Sequence, residues 1–168
     1  MASPGSGSTP HVFGELFKMM TGVNMVHVPY RSVAAGMTDM LSGQVQVTFG
    51  TTASTIEYIR AGTLRALAVT TAMRSETLTD LPTMAEFLPG YEASAWFGAG
   101  APRNTPAEIV DKLNREMNAC LADPKLQARI ADLGGVALTG SPVDFGKLIV
   151  AETEKWAKVV KFSGAKAE

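Results

Sequence analysis

Three times in the first third of this chain, an apolar run ends and a loop of small and hydroxyl residues opens a segment with helical periodicity. The loops are Gly5-Ser6-Gly7-Ser8-Thr9-Pro10, Pro29-Tyr30-Arg31-Ser32 and Gly50-Thr51-Thr52-Ala53-Ser54. Such alternation leaves few folds open. Short strands that alternate with helices pack as a parallel sheet with right-handed crossovers. The predicted strands are residues 25–28, residues 45–49 and residues 65–70; in the second, Val45, Val47 and Phe49 alternate with polar neighbours. Residues 1–9 read as a turn feeding the first helix, with Thr9 as N-cap and Pro10 at the first helical position. Val12, Phe13, Leu16, Phe17 and Met20 recur at helical spacing until Gly22 stops the run. Ser32 caps a second helix reaching Leu41, and Ile56 and Ile59 share one face of a third that Gly62 ends.

Helix N-termini carry unpaired N–H groups and partial positive charge, so they suit anions. If the three loops share one sheet edge, they form a receptor for a carboxylate. Its candidate ligand-binding residues are Ser6, Gly7, Ser8, Thr9, Tyr30, Arg31, Thr51 and Thr52. Arg31 reads either as a bidentate carboxylate clamp or as a solvated loop arginine. Tyr30 can pack or donate its hydroxyl. Thr51, Thr52 and Ser54 can cap the third helix, contact a ligand, or both. Trp96 and Phe97 read as core or hinge packing rather than a ligand cage.

Catalytic chemistry finds no foothold, so the expectation is a binding protein and not an enzyme. Ser6-Gly7-Ser8 lacks the nucleophile elbow G-x-S-x-G, and no lysine follows the glycines as a phosphate loop requires. A dinucleotide fingerprint is absent too, and no cofactor is expected. Around His11 and His27 no cysteine or carboxylate is read at metal-ligand spacing, so no metal is expected. The single cysteine, Cys120, shares helical spacing with Leu113 and Met117 and reads as a small buried hydrophobe. Net charge is -1, which argues against nucleic acid as a partner. No apolar run approaches the roughly 20 residues of a membrane span, and no signal peptide is read at the start of the chain.

The second half is unbalanced. A short helix is predicted over residues 83–87 and an apolar strand or crossing segment over residues 93–100. Thr105-Pro106-Ala107-Glu108 reads as a capping box opening a helix with Ile109, Val110, Leu113, Met117 and Leu121 on one stripe. Asp123-Pro124 starts another helix that Gly134 stops, residues 136–138 read as a strand, and Ser141-Pro142 starts the last helix. Phe145, Leu148, Ile149, Trp156, Val159 and Val160 mark that helix's buried face. Two strands cannot cover three helices, so these stripes are expected to seek a partner, namely a second copy meeting residues 93–168.

Several motifs resemble the substrate-binding receptors of tripartite tricarboxylate transporters, the Bug family. They are His27-Val28-Pro29-Tyr30-Arg31, Leu41-Ser42-Gly43-Gln44-Val45-Gln46-Val47, Ile59-Arg60-Ala61-Gly62, Leu64-Arg65-Ala66-Leu67-Ala68-Val69-Thr70-Thr71, Pro89-Gly90-Tyr91-Glu92-Ala93-Ser94-Ala95-Trp96 and the run from Glu152 to Lys161. The resemblance implies a periplasmic type II solute-binding α/β fold and a small organic carboxylate as ligand. It also implies the membrane components of the transporter as partners. It implies that residues 1–92 are the family's second lobe and residues 93–168 the C-terminal part of an incomplete first lobe, the N-terminal portion being absent. Ser32-Val33-Ala34-Ala35 departs from the family's usual Gly-Ala/Ser-Ala-Pro. Gly50 stands where many members carry Asp or Ala, which disfavours amino-acid ligands. Two other readings stay open: a shortened form that only self-associates, and an effector-binding domain of a regulator, which shares the fold.

Overall fold

A small parallel sheet sits at the start of the chain with helices packed around it. The computed structural model describes residues 1–165. Strand β1 (Ala2–Ser3) pairs in parallel with β2 (Val28–Pro29), placing Ala2 opposite Val28 and Ser3 opposite Pro29. On its other side Ala2 bridges in parallel to Thr48, with the Ala2 amide donating to the Val47 carbonyl at 2.9 Å. Thus β1 is central, and both neighbours run with it. This corrects the reading of residues 1–9, which opened the chain with a turn alone. Two small residues carry no periodicity, and only pairing on both flanks makes them a strand.

The helices follow their local signals more closely. Helix α1 (Thr9–Thr21) ends at Gly22, whose φ of 70° is the left-handed cap the sequence implied. Ser8 rather than Thr9 occupies the N-cap. Helix α2 (Val33–Leu41) is capped by Ser32, whose hydroxyl accepts from the Ala35 amide at 3.2 Å. Helix α3 (Thr52–Arg60) follows the third loop. The predicted strands at residues 45–49 and 65–70 are reduced to single bridges, Thr48 with Ala2 and Val69 with Thr83. Residues 83–87 form a 3-10 turn over Met84–Glu86. Neither residues 93–100 nor residues 136–138 form a strand.

Helices α4 (Ala107–Leu121), α5 (Pro124–Asp132) and α6 (Pro142–Ser163) complete the described chain. The capping box expected at Thr105 is not made, because Pro106 itself takes the N-cap position and has no side-chain donor or acceptor to close it. Asp123 and Ser141 do cap their helices. The stripe of α4 lies open, with Ile109, Leu113 and Met117 exposed. Cys120 is exposed as well, contrary to the buried position expected of it.

Helix α6 divides its loyalties. Phe145 meets Trp96 edge-on at 5.5 Å, while Ile149 and Val160 are exposed. Its last turns return to α1, where Val159 is buried and Trp156 stacks on Phe13 at 5.2 Å. Phe13, Leu16, Tyr91, Ala93 and Val159 form the main core. Of the six residues expected on α6's buried face, only Val159 is fully enclosed. Trp156 and Val159 face α1, whereas Phe145 packs on Trp96 and Ile149 and Val160 face outward.

Candidate ligand loops at one edge of the sheet

Because β1, β2 and the Thr48 segment run in parallel, all three lead out of the sheet at the same edge. Beyond Ser3 lies the loop to α1, beyond Pro29 the turn to α2, and beyond Thr48 the turn to α3. The three helix N-termini therefore gather at one edge, where the positive ends of their dipoles favour an anion. A shallow groove lies beside β1 between the heads of α2 and α3, lined by Ser3, Pro4, Ser32, Gly50, Ser54 and Thr55 together with the apolar side chains of Met37 and Met40.

Two of these N-termini have no side-chain cap. The Ser8 hydroxyl donates to the Gly5 carbonyl at 2.7 Å instead of capping α1. At α3 the Thr51 hydroxyl donates to Ser54 Oγ at 3.0 Å, and both Ser54 and Thr55 donate back to the Thr51 carbonyl. Uncapped first-turn N–H groups are the ones an incoming carboxylate can use.

Comparisons with known proteins bear on the fold and the family. Residues 1–164 match the family model described as tripartite tricarboxylate transporter family receptor. The chain belongs to that receptor family. Among solved structures it is similar to Rpa4515 of R. palustris with adipate, at 41% identity and a TM-score of 0.90, covering 98% of this chain and 55% of that one. It is also similar to the periplasmic binding protein BugD, at 34% identity and a TM-score of 0.83, covering 99% and 57%. A third is MatC from Rhodopseudomonas palustris with bound malate, at 28% identity and a TM-score of 0.82, covering 95% and 55%. The chain spans about half the length of the first curated relatives it matches.

Within this family member the eight predicted site residues are placed unequally. Ser6 and Gly7 stand exposed at the tip of the first loop, with Ser8 and Thr9 half-buried at the head of α1. The Gly7 amide, however, points inward and donates to His11 Nδ1 at 2.9 Å. Arg31 is exposed at the head of α2 and, among the described residues, enters no hydrogen bond or ion pair. Tyr30 is turned along α2. Its hydroxyl donates to Asp39 Oδ2 at 2.8 Å and its ring packs where a side chain at Gly36 would stand. Burial and then the Asp39 carboxylate raise the phenol above its ordinary pKa. Thr52 is backed by Gly134, where an added Cβ would come within 2.3 Å of the threonine methyl. None of the eight lines the groove itself; their neighbours Ser3, Ser32, Ser54 and Thr55 do.

Trp96 packs on Phe145, as expected of a core or hinge residue, whereas Phe97 is 93% exposed. The histidines are the residues that sequence reasoning undervalued. Glu15, one helical turn beyond His11, stands 3.6 Å from His11 Nε2, so a carboxylate does keep it company. The signal available was the i, i+4 spacing of His11 and Glu15. Lys18 holds the same carboxylate at 2.8 Å. Among the described residues, no group of three potential ligands could hold a metal.

Proposed function

We propose that this chain is the anion-receiving part of an extracytoplasmic, non-catalytic receptor that captures a small organic carboxylate. It works in the periplasm and hands its ligand to the membrane components of a tripartite transporter. The observation that carries the reading is the gathering of three helix N-termini, two without side-chain caps, beside the unpaired Arg31. Similar receptors hold adipate and malate, which makes dicarboxylates the ligand class to test. Residues 1–92 form the ligand lobe in this proposal, and residues 93–168 belong to the opposite lobe, with α6 crossing back to α1.

The groove is open, so affinity is modest. Each helix N-terminus contributes about 0.3–1 kcal/mol toward an anion, and one charge-assisted bond about 1.5–3 kcal/mol. Together these amount to a Kd on the order of 1 mM. Calorimetry with adipate and with malate at low salt is expected to show such binding. Arg31→Ala is expected to weaken it by roughly tenfold or more. No saturable binding of either acid would overturn the receptor reading, and submicromolar binding would contradict the open-site argument.

The exposed stripe of α4 supports one companion proposal, self-association through residues 93–168. Ile109, Leu113 and Met117 stand in water together with Ile149 and Val150 of α6. Covering each large side chain is worth about 1.5–3 kcal/mol, and patches of this kind find partners. Light scattering at micromolar concentration is expected to show a dimer or larger species, and Leu113→Lys with Met117→Glu to return a monomer. A folded wild-type monomer would refute the idea.

A further inference from the structure

Beneath the first loop lie two histidines that carboxylate binding by helix N-termini does not require. His11, only 4% exposed, stands on α1, and His27 directly precedes β2. Their rings stack face to face with centroids 3.8 Å apart and planes 12° apart. Each ring holds one end of the loop. At the far end, His11 Nδ1 accepts from the Gly7 amide at 2.9 Å, which places the imidazole proton on Nε2 toward Glu15. At the near end, His27 Nε2 lies 2.6 Å from Ser3 Oγ. Ser3 passes the restraint on, donating to the Gly5 carbonyl at 3.0 Å and accepting from the Gly5 amide at 3.3 Å.

We propose that His11 and His27 are a positioning pair: as neutral stacked rings they grip Gly7 and Ser3, and so set the shape in which the first loop receives a carboxylate. This rests on the receptor reading of the loop. Protonation works against the grip in two ways. A protonated His11 presents a donor at Nδ1 to the Gly7 donor, and two imidazolium rings stacked at this distance repel. The groups facing the pair are Glu15 and Lys18 of α1 and the amino group of Met1. Glu15, which Lys18 also holds, favours the charged form of both rings, but burial outweighs it. Burial, ahead of any neighbouring charge, lowers both imidazoles, His27 to about 4. The pair is therefore neutral at neutral pH and loses its grip on acidification.

Amide and imidazole NMR of the ligand-free chain between pH 7.5 and pH 3 tests this. The Gly5 and Gly7 amides are expected to titrate with the histidine rings, at midpoints below 6.5. His27→Gln, which keeps a donor for Ser3, is expected to leave the Gly5 amide near its wild-type position, while His27→Ala moves it. Gly5 and Gly7 amides that stay flat while both rings titrate would overturn the proposal, as would Gln and Ala variants that behave alike. A second arm measures adipate affinity against pH in wild type and in His11→Asn. Asparagine Oδ1 stands in for Nδ1 and still accepts from Gly7 but does not ionise, and the comparison removes adipate's own titration. Wild type is expected to lose at least threefold more affinity than the variant by pH 4.5; equal losses would count against the pair. If adipate fails to bind at pH 7.5, the receptor reading falls while the amide titration still decides the grip.

Discussion

Replacing Tyr91 by alanine is expected to remove about 3–5 kcal/mol of stability, the range for losing a buried aromatic side chain. Tyr91 is 1% exposed at the centre of the core, among Phe13, Leu16, Ala93 and Val159. Phe17 approaches its ring edge-on at 6.4 Å. Its hydroxyl donates to the Phe13 carbonyl at 3.0 Å, tying the segment after the 3-10 turn to the middle of α1. Burial raises this phenol far above its ordinary pKa, so the donor proton stays in place. The ring and the hydroxyl can be separated. Tyr91→Phe keeps the ring and leaves the Phe13 carbonyl with its helical position intact, so it is expected to cost only about 1 kcal/mol. Small domains hold about 5–15 kcal/mol in total. The alanine variant therefore sits near the edge of folding while the phenylalanine variant melts cooperatively. Urea unfolding followed by circular dichroism reads both. A loss below about 1 kcal/mol for Tyr91→Ala would show that the core lies elsewhere.

Val159→Asp is expected to be comparably severe, at about 3–5 kcal/mol, because it places a carboxylate without a partner where water is excluded. Val159 is 2% exposed, one turn beyond Trp156, which lies flat on Phe13. The control is on the same helix. Val150→Asp, at a position 59% exposed, is expected to change stability by no more than about 0.5 kcal/mol. The contrast tests whether the final turns of α6 supply its anchor to the main core. Equal effects at the two positions would refute that anchoring. The consequence reaches the ligand loops, since α1 carries the first loop at its N-terminus. Loosening the α1–α6 contact is expected to disturb the Gly7 amide before the protein unfolds.

The division between what was legible early and what was not follows the range of the interactions. Ser32, Asp123 and Ser141 cap their helices through bonds to amides two or three residues away, and Gly22 closes α1 with its own backbone. These boundaries are written locally, because each cap or stop bonds to groups within about one turn of itself. Sequence also determined the parallel α/β class, since the order of strand, loop and helix is written along the chain. The receptor family was readable from contiguous motifs such as His27-Val28-Pro29-Tyr30-Arg31. Tertiary structure decided the rest. Strand β1 exists only because Val28 and Thr48, distant in sequence, flank Ala2. Val69 turned to Thr83 rather than to the main sheet. Cys120 has the spacing of a buried residue, yet it stays exposed on a helix with no buried residue among those described. At the candidate site, the loops are legible in the sequence but the side chains that line the groove are not. Tyr30 was claimed by Asp39, and the Gly7 amide by His11. Which donors stay free for a ligand depends on what each loop meets across the sheet edge, and nothing in a residue's near neighbours encodes that meeting.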